Sequence, residues 1–183
     1  MLDIESVKTA DLGSIAAYVP KLFESVTPLL QCVDKSLLSE KSGVTVHLGG
    51  RYPFLEVRIE SNESDIPGVS LYATRGRCSL GIFGFEYLED NHPASDIESL
   101  IEQVCSYMRR YLEGITIVYY YARNGRLVKW EGYWGIDPAV RTKAVTGGHG
   151  FSFLRKVASR EEKSFSFVAP PDKGAQRTLT SPR

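Results

Sequence analysis

The chain has only three cysteines, Cys32, Cys78 and Cys105. The number is odd and no two form a C-x-x-C, so neither a disulfide framework nor a zinc motif is indicated. They read as small buried hydrophobes in a reducing compartment. No apolar run approaches the ~18 residues needed to cross a bilayer. The opening MLDIESVKTADLG lacks a basic start and an apolar core, so no signal peptide is expected and the location expected is cytoplasmic. Formal net charge is zero, which removes any global pull toward nucleic acid or an anionic membrane. The three histidines, His47, His92 and His149, show no ligand spacing, so no metal site is expected. No G-x-S-x-G elbow, P-loop or dinucleotide fingerprint is present, so no nucleophilic serine and no cofactor are indicated. No repeat of fixed period and no recognisable family motif are present.

What remains is the composition of an ordinary globular protein, 43% hydrophobic and 24% charged over 183 residues. That length suits a single domain with a sizeable core. Residues 1–169 are assigned to one α+β domain. Residues 170–183, PPDKGAQRTLTSPR, lack core-forming side chains and read as a disordered tail. Charge is uneven: residues 141–183 hold nine Lys and Arg against three Asp and Glu. A basic end on an acidic body is suited to contact a partner or the body itself.

Residues 9–41 carry Ile15, Val19, Leu22, Phe23, Val26, Leu29, Leu30 and Val33 at three- and four-residue spacing, which predicts helix. Pro20 and Pro28 predict either a pair divided near Pro28 or a helix starting at Pro20. Val44–Leu48 and Phe54–Ile59 alternate as strands. Val69–Thr74 and Arg77 to about Leu88 form a hairpin about Arg75-Gly76, with Gly81 and Gly84 marking a bulge or bend. Residues 95–113 predict a helix with one apolar stripe, a Ser95-x-x-Glu98 capping box and a left-handed stop at Gly114. Asp137-Pro138 predicts a short helix running to about Val145, followed by a Gly147-Gly148-His149-Gly150 loop. Residues 151–163 read as helix, and Phe165–Val168 as an edge strand.

The strongest local signal is ITIVYYYARNGRLVKWEGYW, Ile115 to Trp134. Asn124-Gly125 between two β-prone runs predicts a two-residue hairpin turn. The register that follows pairs Tyr121 with Val128, Tyr119 with Trp130, Ile117 with Gly132 and Ile115 with Trp134. Side chains alternate along a strand, so these residues share an apolar face assigned to the core. The other face carries Tyr120, Lys129, Glu131 and Tyr133.

Together the elements predict an α+β fold. An antiparallel sheet of about six strands, built from consecutive hairpins, carries an N-terminal helical region and a central helix on one face. With no catalytic constellation, the leading expectation is a non-enzymatic module binding a protein partner or small ligand through the outer sheet face and C-terminal segment. Its expected contact residues are Tyr120, Lys129, Glu131, Tyr133, Arg123 and Arg126, and a homodimer is among the assemblies it allows. Two alternatives compete. One is a small enzyme with His149 as acid or base beside the TGGHG loop. The other is single-stranded nucleic-acid binding by interleaved Tyr and basic side chains.

Overall fold

The computed structural model describes residues 2–64, 66–91, 93, 95–148 and 157–168. His92, His149, residues 151–156 and the tail 170–183 lie outside the described residues, and with them the expectations placed there. The fold is α+β, and the described residues form two antiparallel sheets of nine strands in all. The expected hairpins are present, but their strands divide between two sheets.

The helical region begins with α1 (Ile4–Lys8), capped by Asp3, and a 3-10 turn at Leu12–Ser14. Helix α2 (Val19–Gln31) has Pro20 in its first turn, where the missing N–H costs nothing. Pro28 lies inside α2 and does not divide it, although a mid-helix proline costs ~3 kcal/mol. Burial of Val19, Leu22, Phe23, Val26 and Leu30 on one stripe offsets that cost. Tyr18 is buried just ahead of α2, and its hydroxyl donates to the carbonyls of Thr74 and Arg77, tying the helix to the first sheet.

That sheet is a five-stranded meander of β1 (Gly43–His47), β2 (Phe54–Ile59), β3 (Val69–Thr74), β4 (Cys78–Ile82) and β5 (Phe85–Asp90). Leu71 pairs with Leu80 and Ala73 with Cys78, as the apolar alternation requires. The stretch expected as one bent strand to Leu88 is instead two strands joined at Phe83-Gly84, both residues having positive φ (57° and 76°). A non-glycine residue in that conformation is strained, and packing holds it there. Phe83 is 2% exposed, and its ring lies 5.4 Å from that of Trp134 and 6.4 Å from that of Tyr111.

Helix α3 (Ile97–Glu113) follows. Its cap is Asp96, whose carboxylate accepts from the Ser99 N–H, so the cap falls one residue later than the Ser95 box placed it. Gly114 ends it at φ 159° and ψ 141°, outside the left-handed helical region expected. Buried Leu100, Ile101, Val104, Met108, Tyr111 and Leu112 form its core stripe.

The second sheet holds β6 (Ile115–Tyr121), β7 (Leu127–Trp134), β8 (Thr142–Gly148) and β9 (Ser159–Phe165) in the order β8-β7-β6-β9. This is a Greek key, three consecutive strands with the fourth returned beside the first. Two expectations are corrected. Of the expected helix to Val145, only a turn remains, in which the Asp137 carboxylate accepts from the Ala139 N–H; the chain is β8 from Thr142 on. Residues 159–163, expected as helix, are strand β9. In both segments sheet hydrogen bonding to β7 and β6 overrides weak local preference. Gly147 and Gly148 likewise end β8 rather than form a loop. The last edge strand is therefore β9, and Val168 instead makes an isolated bridge to Val33.

One apolar cluster joins both sheets, α2 and α3. Phe83 pins the sheets together: a Cβ at Gly132 would lie 3.1 Å from its ring, and a Cβ at Gly147 only 2.5 Å from the Trp130 indole. Both positions of the second sheet admit only glycine at that approach. Cys78 is buried and Cys105 half-buried, but Cys32 is exposed at the end of α2, against the expectation of burial. Among the described residues no helix is long and apolar enough to cross a membrane.

If Phe83 is the pin between the sheets, Phe83→Ala should lower unfolding free energy by about 3–5 kcal/mol in urea denaturation. A loss below ~1 kcal/mol would show that the sheets are held together elsewhere.

Candidate functional site

The outer face of the second sheet is where the chain concentrates polar chemistry. The β6–β7 register is the expected one from Ile115↔Trp134 to Tyr119↔Trp130, and it places Tyr120 opposite Lys129 and Val118 opposite Glu131. Only the turn differs. Tyr121 pairs with Leu127, not Val128, and Ala122 N–H donates to the Arg126 carbonyl. The loop is thus three residues, Arg123-Asn124-Gly125, with Val128 the extra residue of a bulge. The bulge absorbs the change, so the faces below it keep their alternation.

A second bulge does more for the site. Along β7–β8, Gly132 pairs with Val145 but Tyr133 pairs with Lys143, leaving Ala144 as the extra residue. Strict alternation would have put Ala144 opposite Tyr133 and turned Lys143 to the other face. The bulge turns the Lys143 ammonium toward Glu131.

Glu131 is the centre of the face and is only 7% exposed. Its Oε2 accepts from the hydroxyls of Tyr120 (2.7 Å) and Tyr133 (2.8 Å). Its Oε1 accepts from Lys143 Nζ at 2.6 Å and Lys129 Nζ at 3.3 Å. Burial alone would raise the Glu131 carboxyl, but the donations from Lys143, Tyr120, Tyr133 and Lys129 outweigh it and hold the group down at about 2. Burial and the bond to Glu131 push the Tyr120 hydroxyl up to about 12. The same bond, followed by burial, raises Tyr133. Near neutral pH, therefore, Glu131 stays ionised and both tyrosines stay protonated. None of the three has the matched pKa that general acid–base catalysis needs.

A second carboxylate extends the network. Glu162, across β6 from Glu131, accepts from Arg141 at 2.5 and 3.2 Å and from Arg160 at 2.5 Å. The Arg141 guanidinium also lies over the Tyr133 ring at 4.6 Å, and Lys129 Nζ over the Tyr120 ring at 4.2 Å. Beneath these long side chains Val118 is fully buried. Four cations, Lys129, Lys143, Arg141 and Arg160, surround two carboxylates, so the face carries an excess of positive charge.

Four of the expected contact residues, Tyr120, Lys129, Glu131 and Tyr133, thus come together. Arg123 and Arg126 do not join them; both are exposed at the turn. His47 is exposed on β1 and stacks on Phe54 at 5.4 Å. Among the described residues no group of three or more His, Cys, Asp or Glu is placed to hold a metal ion. The residues missed were Arg141, Lys143, Arg160 and Glu162, because the segments carrying them were read as helical. The alternation of Thr142, Ala144 and Thr146 with Lys143 and Val145 was the available strand signal. Comparison with protein-family models, curated proteins and solved structures finds no match.

Glu131→Gln removes the charge that two lysines face and should cost about 1–3 kcal/mol at neutral pH. The folded carboxyl is held below its ordinary 4.5, at about 2. Its contribution is therefore complete above pH 4.5 and fades as pH falls toward 2. Urea unfolding of both proteins across that range should show the difference shrinking to nothing at the acid end. A difference independent of pH would mean that the ionised carboxylate is not its source.

Proposed function

We propose that this chain is a non-catalytic binding module that docks an acidic protein surface on the outer face of its four-stranded sheet. The observation that carries the reading is the Glu131 hub. Tyr and Arg are the side chains that most often anchor protein interfaces. Here Tyr120, Tyr133 and Arg141 are already locked by hydrogen bonds and ring contacts. Ordering them before contact lowers the entropy cost of binding, which is ~0.5–1.5 kcal/mol for each immobilised side chain. The surplus of cations selects for acidic partners and speeds their approach.

The same geometry favours a protein over single-stranded nucleic acid. Base stacking needs open ring faces. On this face Lys129 already covers the Tyr120 ring and Arg141 the Tyr133 ring. The pKa values of the hub favour binding over proton transfer, and His149, the residue named for an enzyme, lies outside the described residues. A cytoplasmic location agrees with the odd number of cysteines.

Affinity capture with the wild-type chain and a Lys143→Glu/Arg160→Glu variant tests the reading. Both side chains are half-exposed, but each pairs with a carboxylate of the face, so circular dichroism and thermal unfolding of the variant separate lost binding from lost fold. The wild type should retain a defined acidic protein that the variant binds at least ~10-fold more weakly, with affinity falling as salt rises. Arg75→Glu, on the exposed turn of the other sheet, should bind as wild type. Equal capture by all three chains would contradict the proposal.

A further inference from the structure

A groove of about 570 Å³ runs between the first helical segments and α2. None of its lining residues belongs to the second sheet. Helix α2 contributes Pro20, Phe23, Glu24, Thr27 and Pro28, which recur at the three- and four-residue spacing of one helix stripe. The groove therefore follows about 12 Å of that helix. Its floor is apolar, with Leu12 and Phe23 buried and Pro20 and Pro28 exposed along it.

The polar groups of the groove are acceptors that lack donors. Asp3, Asp34 and Asp96 each stand at the start of a helical segment, and each accepts a backbone N–H there. Asp11 stands in the same position before the Leu12–Ser14 turn, yet its carboxylate makes no such bond. The Glu24 carboxylate is exposed, and among the described residues no cation pairs with it or with Asp11. Two cations close by in the chain are committed elsewhere, Lys8 to Glu5 at 2.6 Å and Lys21 to Glu98. Pro28 adds a third acceptor. It has no N–H, so the Glu24 carbonyl, one turn earlier on the same stripe, lacks its helical donor. The Thr27 hydroxyl already donates to the Phe23 carbonyl at 2.8 Å.

Acceptors of this kind select a donor-rich cation, and the floor selects an apolar neighbour to it. A guanidinium suits them better than an ammonium, because it is more weakly hydrated and spreads five N–H donors in one plane. An open groove along a helix fits a peptide, whereas a small molecule needs a pocket that encloses most of its surface. We infer that this groove docks a segment of a partner protein in which arginine stands beside apolar side chains. The guanidinium meets Asp11 and Glu24, and the apolar side chain rests on the Leu12–Phe23 floor. The charge of this groove is opposite to that of the Glu131 face, so the two surfaces take different partners, and neither needs the other.

Fluorescence anisotropy with a labelled decapeptide of alternating arginine and leucine is the test. The wild-type chain should bind it at low salt, with affinity falling as salt rises. An Asp11→Asn/Glu24→Gln chain should bind at least ~10-fold more weakly. It should unfold at the wild-type temperature, since both side chains are exposed. A peptide with serine in place of leucine should also bind at least ~10-fold more weakly to the wild type. In NMR spectra, the amide shifts caused by the arginine–leucine peptide should centre on residues 8–13 and 20–28. Equal binding by the double variant would overturn the inference. Equal binding of the serine peptide would as well, by reducing the contact to plain charge attraction. Shifts centred on another surface, or no binding of the arginine–leucine peptide, would have the same force. Dimerisation of the wild-type chain that the double variant loses would overturn it too, by assigning the groove to a second copy.

Discussion

An ionised carboxylate is expensive to take out of water unless donors meet it, and this constraint organises the second sheet. Glu131 on β7 takes donors from Tyr120 on β6, from Lys129 and Tyr133 on its own strand, and from Lys143 on β8. Three strands must hold their relative register for those donors to arrive together. A slip of one residue would turn Tyr120 or Lys143 to the opposite face and leave the charge unpaired. The hub therefore specifies the alignment of β6, β7 and β8 as much as it stabilises it. The bulge at Ala144 is the local cost of that alignment.

The opposite face of the same strands obeys a different requirement. There Trp130, Trp134 and Gly132 meet Phe83, which reaches across from the first sheet in a strained backbone conformation, and Gly147 lies under the Trp130 indole. Close packing needs glycine where the rings pass, and ring burial compensates the strain at Phe83. The two faces are thus coupled through one pair of strands. The inner side anchors the sheet to the body, and the outer side is left with a rigid, charged surface.

Much of this was legible in the residues, and the exceptions have physical causes. Alternation in β6 and β7 assigned Tyr120, Lys129, Glu131 and Tyr133 to one face, because a buried sheet face leaves a period-two pattern. The turn was misjudged by one residue, since Asn-Gly also suits a three-residue loop with Gly125 at φ 74°. The cap of α3 slipped from Ser95 to Asp96 for a similar reason: adjacent residues both had capping side chains. Strands β8 and β9 were hidden more deeply. They are the sheet's edges, and Arg160, Glu161, Glu162 and Lys163 in β9 offer four consecutive charges in place of an apolar pattern. Charged edges discourage unwanted pairing, which is why their strand character is poorly written in local sequence. Their loss from the sequence reading removed Arg141, Lys143, Arg160 and Glu162 from the expected site. The break between β4 and β5 was hidden as well, because Phe83-Gly84 carries no conventional turn residue at its first position.

The account rests on Glu131 being an ionised, fully satisfied carboxylate under the outer face. Carbon-13 NMR titration of its side-chain carboxyl in the intact chain measures this directly. The structure predicts a midpoint of about 2, with the tyrosine hydroxyl and lysine ammonium signals of the hub moving in step with it. A midpoint at the ordinary 4.5 would mean that the four donors do not converge on Glu131 in solution, and the pre-ordered face would be lost with them.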